Sequence, residues 1–231
     1  MPIEPLKLRQ VSVFEHATDD DLGLIARHGI ERSIEEGEFF FFQGDPTSHG
    51  YVLTAGRAKL MQVNPAGQQV NLRTISVWEM FGALGAVRKN ATYPASAQAM
   101  EPSTALAIKS EYLRELMQTR PYLSIGLMQL MTGYVQEIQE RYRELATEKV
   151  ERRIARVLLR LTAQLGVKTP DGNIELAFSR QELAEMSGTT LYTVSRVLSE
   201  WEKHGLVESG RKRVMIRKPH GLVRIAEESD E

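Results

Sequence analysis

A chain of 231 residues with 42% hydrophobic and 26% charged side chains has the balance of a folded protein long enough for two cores, which excludes a largely disordered chain. It contains no cysteine, which excludes disulfides, thiolate zinc sites and cysteine-ligated iron–sulfur clusters. The net charge of −1 hides an uneven distribution: residues 148–222 carry 14 Lys/Arg against 9 Asp/Glu, residues 1–147 carry 14 against 17, and residues 223–231 carry 1 against 4. A basic module on an otherwise acidic chain suits phosphate binding by that module alone, although a randomly basic domain has a similar count.

The N-terminus MPIEPLKLRQ holds no apolar run of signal-peptide type, and no later stretch approaches the roughly 20 apolar residues of a membrane span, so a cytoplasmic location without membrane contact is expected. Residues 11–29 read as a short helical prelude, with Asp19, Asp20 and Asp21 before Leu22, Leu24 and Ile25. The period then changes. Glu38–Gln43, Gly50–Leu53, Ala58–Val63, Gln69–Ile75, Ala95–Ala99 and Ala105–Ile108 are β-prone runs. Between them stand turn signals such as Gly44-Asp45-Pro46, Asn64-Pro65-Ala66-Gly67 and Glu101-Pro102-Ser103, a pattern that predicts an all-β barrel or roll.

From Tyr122 to Thr147 a helix carries a narrow apolar seam: Met128, Met131, Val135, Ile138, Tyr142 and Leu145, spaced alternately three and four residues apart. So narrow a stripe suits pairing with a symmetry mate, and packing on the chain's own β-domain is the alternative. Glu148–Leu165 forms a further helix, with Ile154, Val157, Leu158 and Leu161 on one side and Gly166 as its stop, and Ile174–Phe178 a short strand.

The chemistry gathers after that strand. Ser179-Arg180-Gln181-Glu182 has the capping-box form and starts a helix that breaks at Ser187-Gly188. Thr189 or Thr190 then caps a second helix reaching about Lys203, with Gly205 at its end. Two helices joined by a tight glycine turn predict a helix-turn-helix. On the second helix Val194, Val197, Leu198 and Trp201 fall inward, leaving Leu191, Tyr192, Ser195, Arg196 and Ser199 outward. Arg196 can then approach guanine or a phosphate. Residues 206–216 read as strand, basic turn and strand, a wing whose tip, Arg211, Lys212 and Arg213, would meet the DNA backbone. An ordinary helical hairpin with a solvated basic turn explains each feature singly but not their order. The DNA-contacting set is therefore Ser179, Arg180, Gln181, Thr189, Thr190, Leu191, Tyr192, Ser195, Arg196, Arg211, Lys212 and Arg213.

At these residues the chain resembles the CRP/FNR family of bacterial transcription regulators over nearly its whole length. The likeness rests on Gly44-Asp45, Tyr51–Gly56, Phe81-Gly82-Ala83-Leu84-Gly85, the long helix, and above all Ser179–Ala184 with Thr193-Val194-Ser195-Arg196. The resemblance implies an α+β architecture: a jelly-roll-like β-roll sensor over 1–118, a dimerisation helix over 119–147, a winged helix-turn-helix over 148–222 and an acidic tail over 223–231. It also implies a homodimer on a palindromic double-stranded operator, with RNA polymerase as a further partner.

The departures from the family pattern matter as much. Cyclic-AMP-binding members have Gly-Glu-Leu and an Arg-Ser pair that receives the cyclic phosphate; here Gly82-Ala83-Leu84 and Tyr93-Pro94 stand in their places. Ile138 and Gln139 fall where a Thr-Ser pair would reach the adenine. Without the arginine an anion loses its bidentate partner, so cyclic AMP is not the expected effector. The effector-pocket candidates are Gly82, Ala83, Leu84, Tyr93, Ser96 and Ile138. The stretch Thr92–Ala99 resembles the subgroup with nitric-oxide-responsive, haem-binding regulators. A haem would take its axial ligand from His16, His28 or His49, each of which also reads as an ordinary surface histidine. No metal site is expected beyond that. Tyr192 replaces the family's recognition-helix glutamate, which implies a shifted operator.

Control by an unidentified effector, a constitutive DNA-binding member with a vestigial pocket, and a gas sensor are the open alternatives. An enzyme is not expected: the sequence holds no HExxH, P-loop or nucleophile–base arrangement.

Overall fold

The computed structural model describes residues 3–64 and 69–227, which fall into two compact units divided between Glu137 and Ile138. The first unit opens with two 3-10 turns, Pro5–Gln10 and Ser12–Phe14, and then helix α1, Asp19–His28. The Thr18 hydroxyl accepts from the amide of Asp21, and the three aspartates of the first turn meet the positive end of the helix dipole.

Eight strands follow: β1 Ile30–Ile34, β2 Phe39–Phe41, β3 His49–Ala55, β4 Ala58–Val63, β5 Gln69–Ile75, β6 Met80–Phe81, β7 Ser96–Ala99 and β8 Ser103–Lys109, with the single-turn helix α2, Leu84–Val87, between β6 and β7. They make two antiparallel sheets, β1-β8-β3-β6 and β2-β7-β4-β5. All six predicted β-runs are strands. The two that sequence reading missed have physical reasons: β1 is almost wholly exposed and so lacks apolar alternation, and β6 is only two residues long. Pro65, Ala66 and Gly67 of the predicted turn after β4 lie outside the described residues.

Alternation along β3 and β8 divides the unit's core in two. Tyr51, Leu53, Ala105 and Ala107 turn between the sheets and join Phe40, Phe41, Phe81 and Tyr93. Val52, Leu106 and Ile108 turn the other way, against Phe14, Leu22 and Ile25. Neighbouring Phe40 and Phe41 both reach the inner cluster because the β2–β7 register shifts between Phe39 and Phe41. Helix α3, Ser110–Thr119, adds Leu113 and Leu116 to the outer cluster, and helix α4, Pro121–Thr147, begins by adding Leu123 and Leu127.

The second unit holds the end of α4, then α5 Val150–Leu165, β9 Val167–Lys168, β10 Ile174–Leu176, α6 Arg180–Ser187, α7 Leu191–Lys203, β11 Val207–Gly210, β12 Arg213–Ile216 and α8 Pro219–Glu227. Its sheet runs β11-β12-β10-β9. Ile154, Leu158, Leu183, Val194, Leu198 and Ile216 are fully buried in one core. Each such side chain contributes about 1.5–3 kcal/mol by leaving water.

Gly166 stops α5 as predicted, with extended backbone at φ −66°. One expectation does not hold. The segment set apart as an acidic tail from Val223 is helical up to Glu227: Leu222 and Ala226 of α8 lie in the core, so only Glu228–Glu231 remain, outside the described residues. Net acidity hid the apolar face formed by Leu222, Ile225 and Ala226.

Candidate nucleic-acid interface

Helix α6 starts with a full capping box: the Ser179 hydroxyl accepts from the Glu182 amide at 3.2 Å, and the Ser179 amide donates to Glu182 Oε2 at 2.6 Å. It ends at Gly188, whose φ of +61° is the left-handed turn that favours glycine. A Cβ there would also come within 2.6 Å of Leu145 Cδ2, so the turn between the helices rests on the last turns of α4. Thr190, not Thr189, caps α7, its hydroxyl accepting from the Thr193 amide at 3.2 Å.

The two faces of α7 separate as the spacing predicts. Val194, Val197, Leu198 and Trp201 are buried, while Leu191, Tyr192, Arg196 and Ser199 are exposed and Ser195 is half-buried. Tyr192 is 79% exposed, which leaves its ring on the outward face of the helix. Arg196 Nη2 donates to Glu151 Oε1 on α5 at 3.1 Å. In α6, Gln181 is exposed and bonds Glu185 at 3.0 Å. Arg180 is half-buried and donates to Ser209 Oγ at 2.5 Å, while the Ser209 amide donates to Glu202 Oε1 at 2.6 Å, so Arg180 ties the first helix of the motif to the wing.

Strands β11 and β12 pair from Val207 with Ile216 to Gly210 with Arg213, which leaves Arg211 and Lys212 as the hairpin tip. Arg211, Lys212 and Arg213 are all exposed, and Lys212 holds a φ of +54°. Arg217 and Arg213 flank Glu208; the Arg217 hydrogen bond, first, and then its charge hold the Glu208 carboxyl below its ordinary range.

One residue that sequence reading missed organises this surface. Arg153 on α5 donates from Nη1 to the Glu148 carbonyl at 2.9 Å, from Nε to the Ser187 carbonyl at 3.1 Å and from Nη2 to the Gly188 carbonyl at 3.4 Å. The segment after α4 is thereby fixed to the helix-turn-helix turn. Beside it, buried Glu144 and Glu148 pair with Arg160 at 2.5 Å and Arg156 at 3.0 Å. An arginine-rich helix signals such contacts only generically, because their partners are backbone carbonyls 34 and 35 residues away.

The effector-pocket candidates are placed quite differently. Tyr93 is buried, stacked on Phe41 with ring centroids 3.8 Å apart; its hydroxyl donates to the His49 carbonyl at 2.7 Å and accepts from the His49 amide at 3.1 Å. Ser96 is buried and accepts from the Gln43 amide at 2.9 Å. Gly82 has a φ of +69°, and a Cβ there would lie 2.9 Å from the Phe41 ring. Ala83 is buried among the outer cluster, Leu84 opens α2, and Ile138 is 66% exposed on α4. Gly82 and Tyr93 both lie against Phe41. A cavity of about 560 Å³ in the first unit lies elsewhere, lined by Ala26, Arg27, Gly29, Glu31, Thr54 and Leu106 among others, and a much smaller apolar one includes Ala83 with Val13, Phe14 and Met80.

A haem does not fit the histidines present. His16 and His28 are on the surface, with His28 stacked on Tyr112 and bonded to the Leu24 carbonyl at 2.9 Å. His49 bonds Ser48 Oγ at 2.9 Å beside the filled aromatic cluster, and none of the three lines the 560 Å³ cavity. Burial, then the charges of Lys109 and Arg32, lower the His49 pKa.

On α4, Met128, Val135, Ile138, Tyr142 and Leu145 of the predicted seam are each more than half exposed, whereas Met131 is partly buried against the first unit's outer cluster. No helix among the described residues is long and apolar enough to cross a membrane.

Comparison with known proteins matches residues 31–120 to the cyclic nucleotide-binding domain and residues 152–225 to the Crp-like helix-turn-helix domain. The transcriptional activator protein anr of Pseudomonas aeruginosa is 32% identical over 198 residues, covering 85% of this chain and 80% of that protein. The global nitrogen regulator of Synechococcus elongatus is 29% identical, covering 82% of this chain and 86% of that protein. Among solved structures, FixK2 from Bradyrhizobium japonicum superposes with a TM-score of 0.76 at 19% identity, covering 87% of this chain and 99% of that one, a likeness of fold.

Proposed function

We propose that this chain, which belongs to the CRP/FNR family of DNA-binding transcription regulators, works as a homodimer that reads a palindromic operator with α7 and clamps its backbone with the β11–β12 wing. The observation that carries this reading is the two-faced α7: four apolar side chains buried behind Leu191, Tyr192, Ser195, Arg196 and Ser199. Arg196 is the base-reading candidate, since a guanidinium fork matches guanine O6 and N7. Thr189, Thr190, Gln181 and the tip residues Arg211, Lys212 and Arg213 are assigned to the phosphates, which fix register rather than sequence. Arg180 and Ser179 serve chiefly to hold α6, by the bonds they make to Ser209 and Glu182.

Dimerisation through α4 is supported by its five exposed apolar side chains, too many for a monomer surface left uncovered. Two-fold pairing would set the recognition helices ~34 Å apart, one turn of duplex. The relative in P. aeruginosa is named a transcriptional activator, which supports a further contact with RNA polymerase, and a chromosomal target puts the work in the cytoplasm.

For control, the first reading is an effector other than cyclic AMP that biases the dimer. A second is favoured by the packing of Phe40, Phe41, Tyr51, Phe81 and Tyr93: with their rings filling the roll and the Tyr93 hydroxyl satisfied by His49, DNA binding needs no ligand there. Selection of duplexes from a random pool tests the function. A recovered inverted repeat with half-site centres one helical turn apart is the expected result; no enrichment would overturn it. Because Tyr192 cannot accept from a cytosine amine as a carboxylate does, the half-site should also differ from the usual family consensus.

A further inference from the structure

We infer that Glu151 is a positioning residue that sets DNA specificity through Arg196, an inference that rests on reading α7 as the recognition helix. Glu151 stands in the first turn of α5, and its Oε1 accepts from Arg196 Nη2 at 3.1 Å, joining two helices that are 45 residues apart in sequence. The side chains are 41% and 60% exposed, so water and salt screen the pair and it does little for folding. The N-terminus of α5 favours a carboxylate whether or not Arg196 is present, so Glu151 is held in place independently. Glu200, one turn further along α7, pairs with Lys203 at 3.0 Å and reaches Arg196 through its charge alone, without a hydrogen bond to it. Glu151 is therefore the carboxylate that decides where the Arg196 fork points.

The consequence differs between right and wrong DNA. Arg196 has five N–H donors, and the structure gives one of its nitrogens to Glu151. On an operator guanine the remaining donors can make the bidentate contact while Glu151 fixes the plane of the guanidinium. On a random duplex the profitable move is to swing onto a phosphate, and there Glu151 both holds the arginine back and repels the phosphate itself. Glu151 thus costs non-specific binding more than specific binding, which is how a repulsive element raises selectivity.

The test compares the full-length parent with Glu151→Gln on a duplex carrying the selected sequence and on a scrambled duplex of equal length. Glu151→Gln should bind scrambled DNA more tightly with little change on the selected duplex, lowering the affinity ratio about tenfold, the order of relieving one exposed carboxylate–phosphate repulsion. Its salt dependence on scrambled DNA should steepen by about one phosphate. Both effects should vanish in an Arg196→Ala background. A merely structural role would lower the melting temperature and move both affinities together. An unchanged ratio, or a change that persists without Arg196, overturns the assignment to Glu151 alone; a parent without preference for the selected duplex overturns the recognition-helix reading as well.

Discussion

The inside of the β-roll and the outside of α7 are opposite kinds of surface built by the same patterning rule. In the roll, Tyr93 stacks on Phe41, its hydroxyl both donates to and accepts from His49, and Ser96 is taken by the Gln43 amide. On α7 a ring that is 79% exposed stands one turn from an arginine whose partner is an exposed, screened carboxylate. Satisfied groups hold a fold together; weakly held groups at the surface are the ones a partner can recruit. On the reading that the filled roll needs no ligand, substitutions in the roll should change stability and leave DNA affinity alone, and substitutions on α7 should do the reverse.

The largest effect should come from charging the α4 seam. Val135→Glu with Ile138→Glu replaces two exposed apolar side chains with carboxylates, and the double variant should sediment as a monomer and lose about 100-fold in operator affinity, because one half-site no longer assists the other. Next, Arg196→Ala should weaken the selected duplex about 10- to 100-fold with an unchanged melting temperature. Smaller is Arg211→Ala at the wing tip, which should weaken selected and scrambled duplexes alike and reduce the salt slope by about one, read by anisotropy titrations at several salt concentrations. Smallest on DNA, and the sharpest foil, is Tyr93→Phe: it leaves the His49 amide and carbonyl without their partner, costs about 1–3 kcal/mol of stability in thermal denaturation, and should leave operator affinity unchanged. Loss of DNA binding in Tyr93→Phe would favour control through the roll.

The helix-turn-helix was legible because its signals are local. The capping box spans four residues, the left-handed Gly188 sits at the break, and the inward set on α7 follows helical spacing. The roll was legible strand by strand where alternation survives, and not at exposed β1 or two-residue β6. What stayed hidden is carried by contacts distant in sequence. Glu151 and Arg196 are 45 residues apart, Arg153 reaches the carbonyls of Ser187 and Gly188, and Tyr93 bonds to backbone 44 residues away. Composition also misled at α8, where acidic residues after Arg224 masked a helix whose Leu222 and Ala226 complete the second core.

The most direct test of the account is a titration of ligand-stripped, full-length protein on the duplex recovered by selection, with and without cyclic AMP, with stoichiometry read by native mass spectrometry. The account predicts two chains per duplex, strong preference over scrambled DNA, and no change on adding cyclic AMP. Binding that appears only with cyclic AMP would contradict the filled roll, and equal affinity for scrambled DNA would contradict recognition by α7.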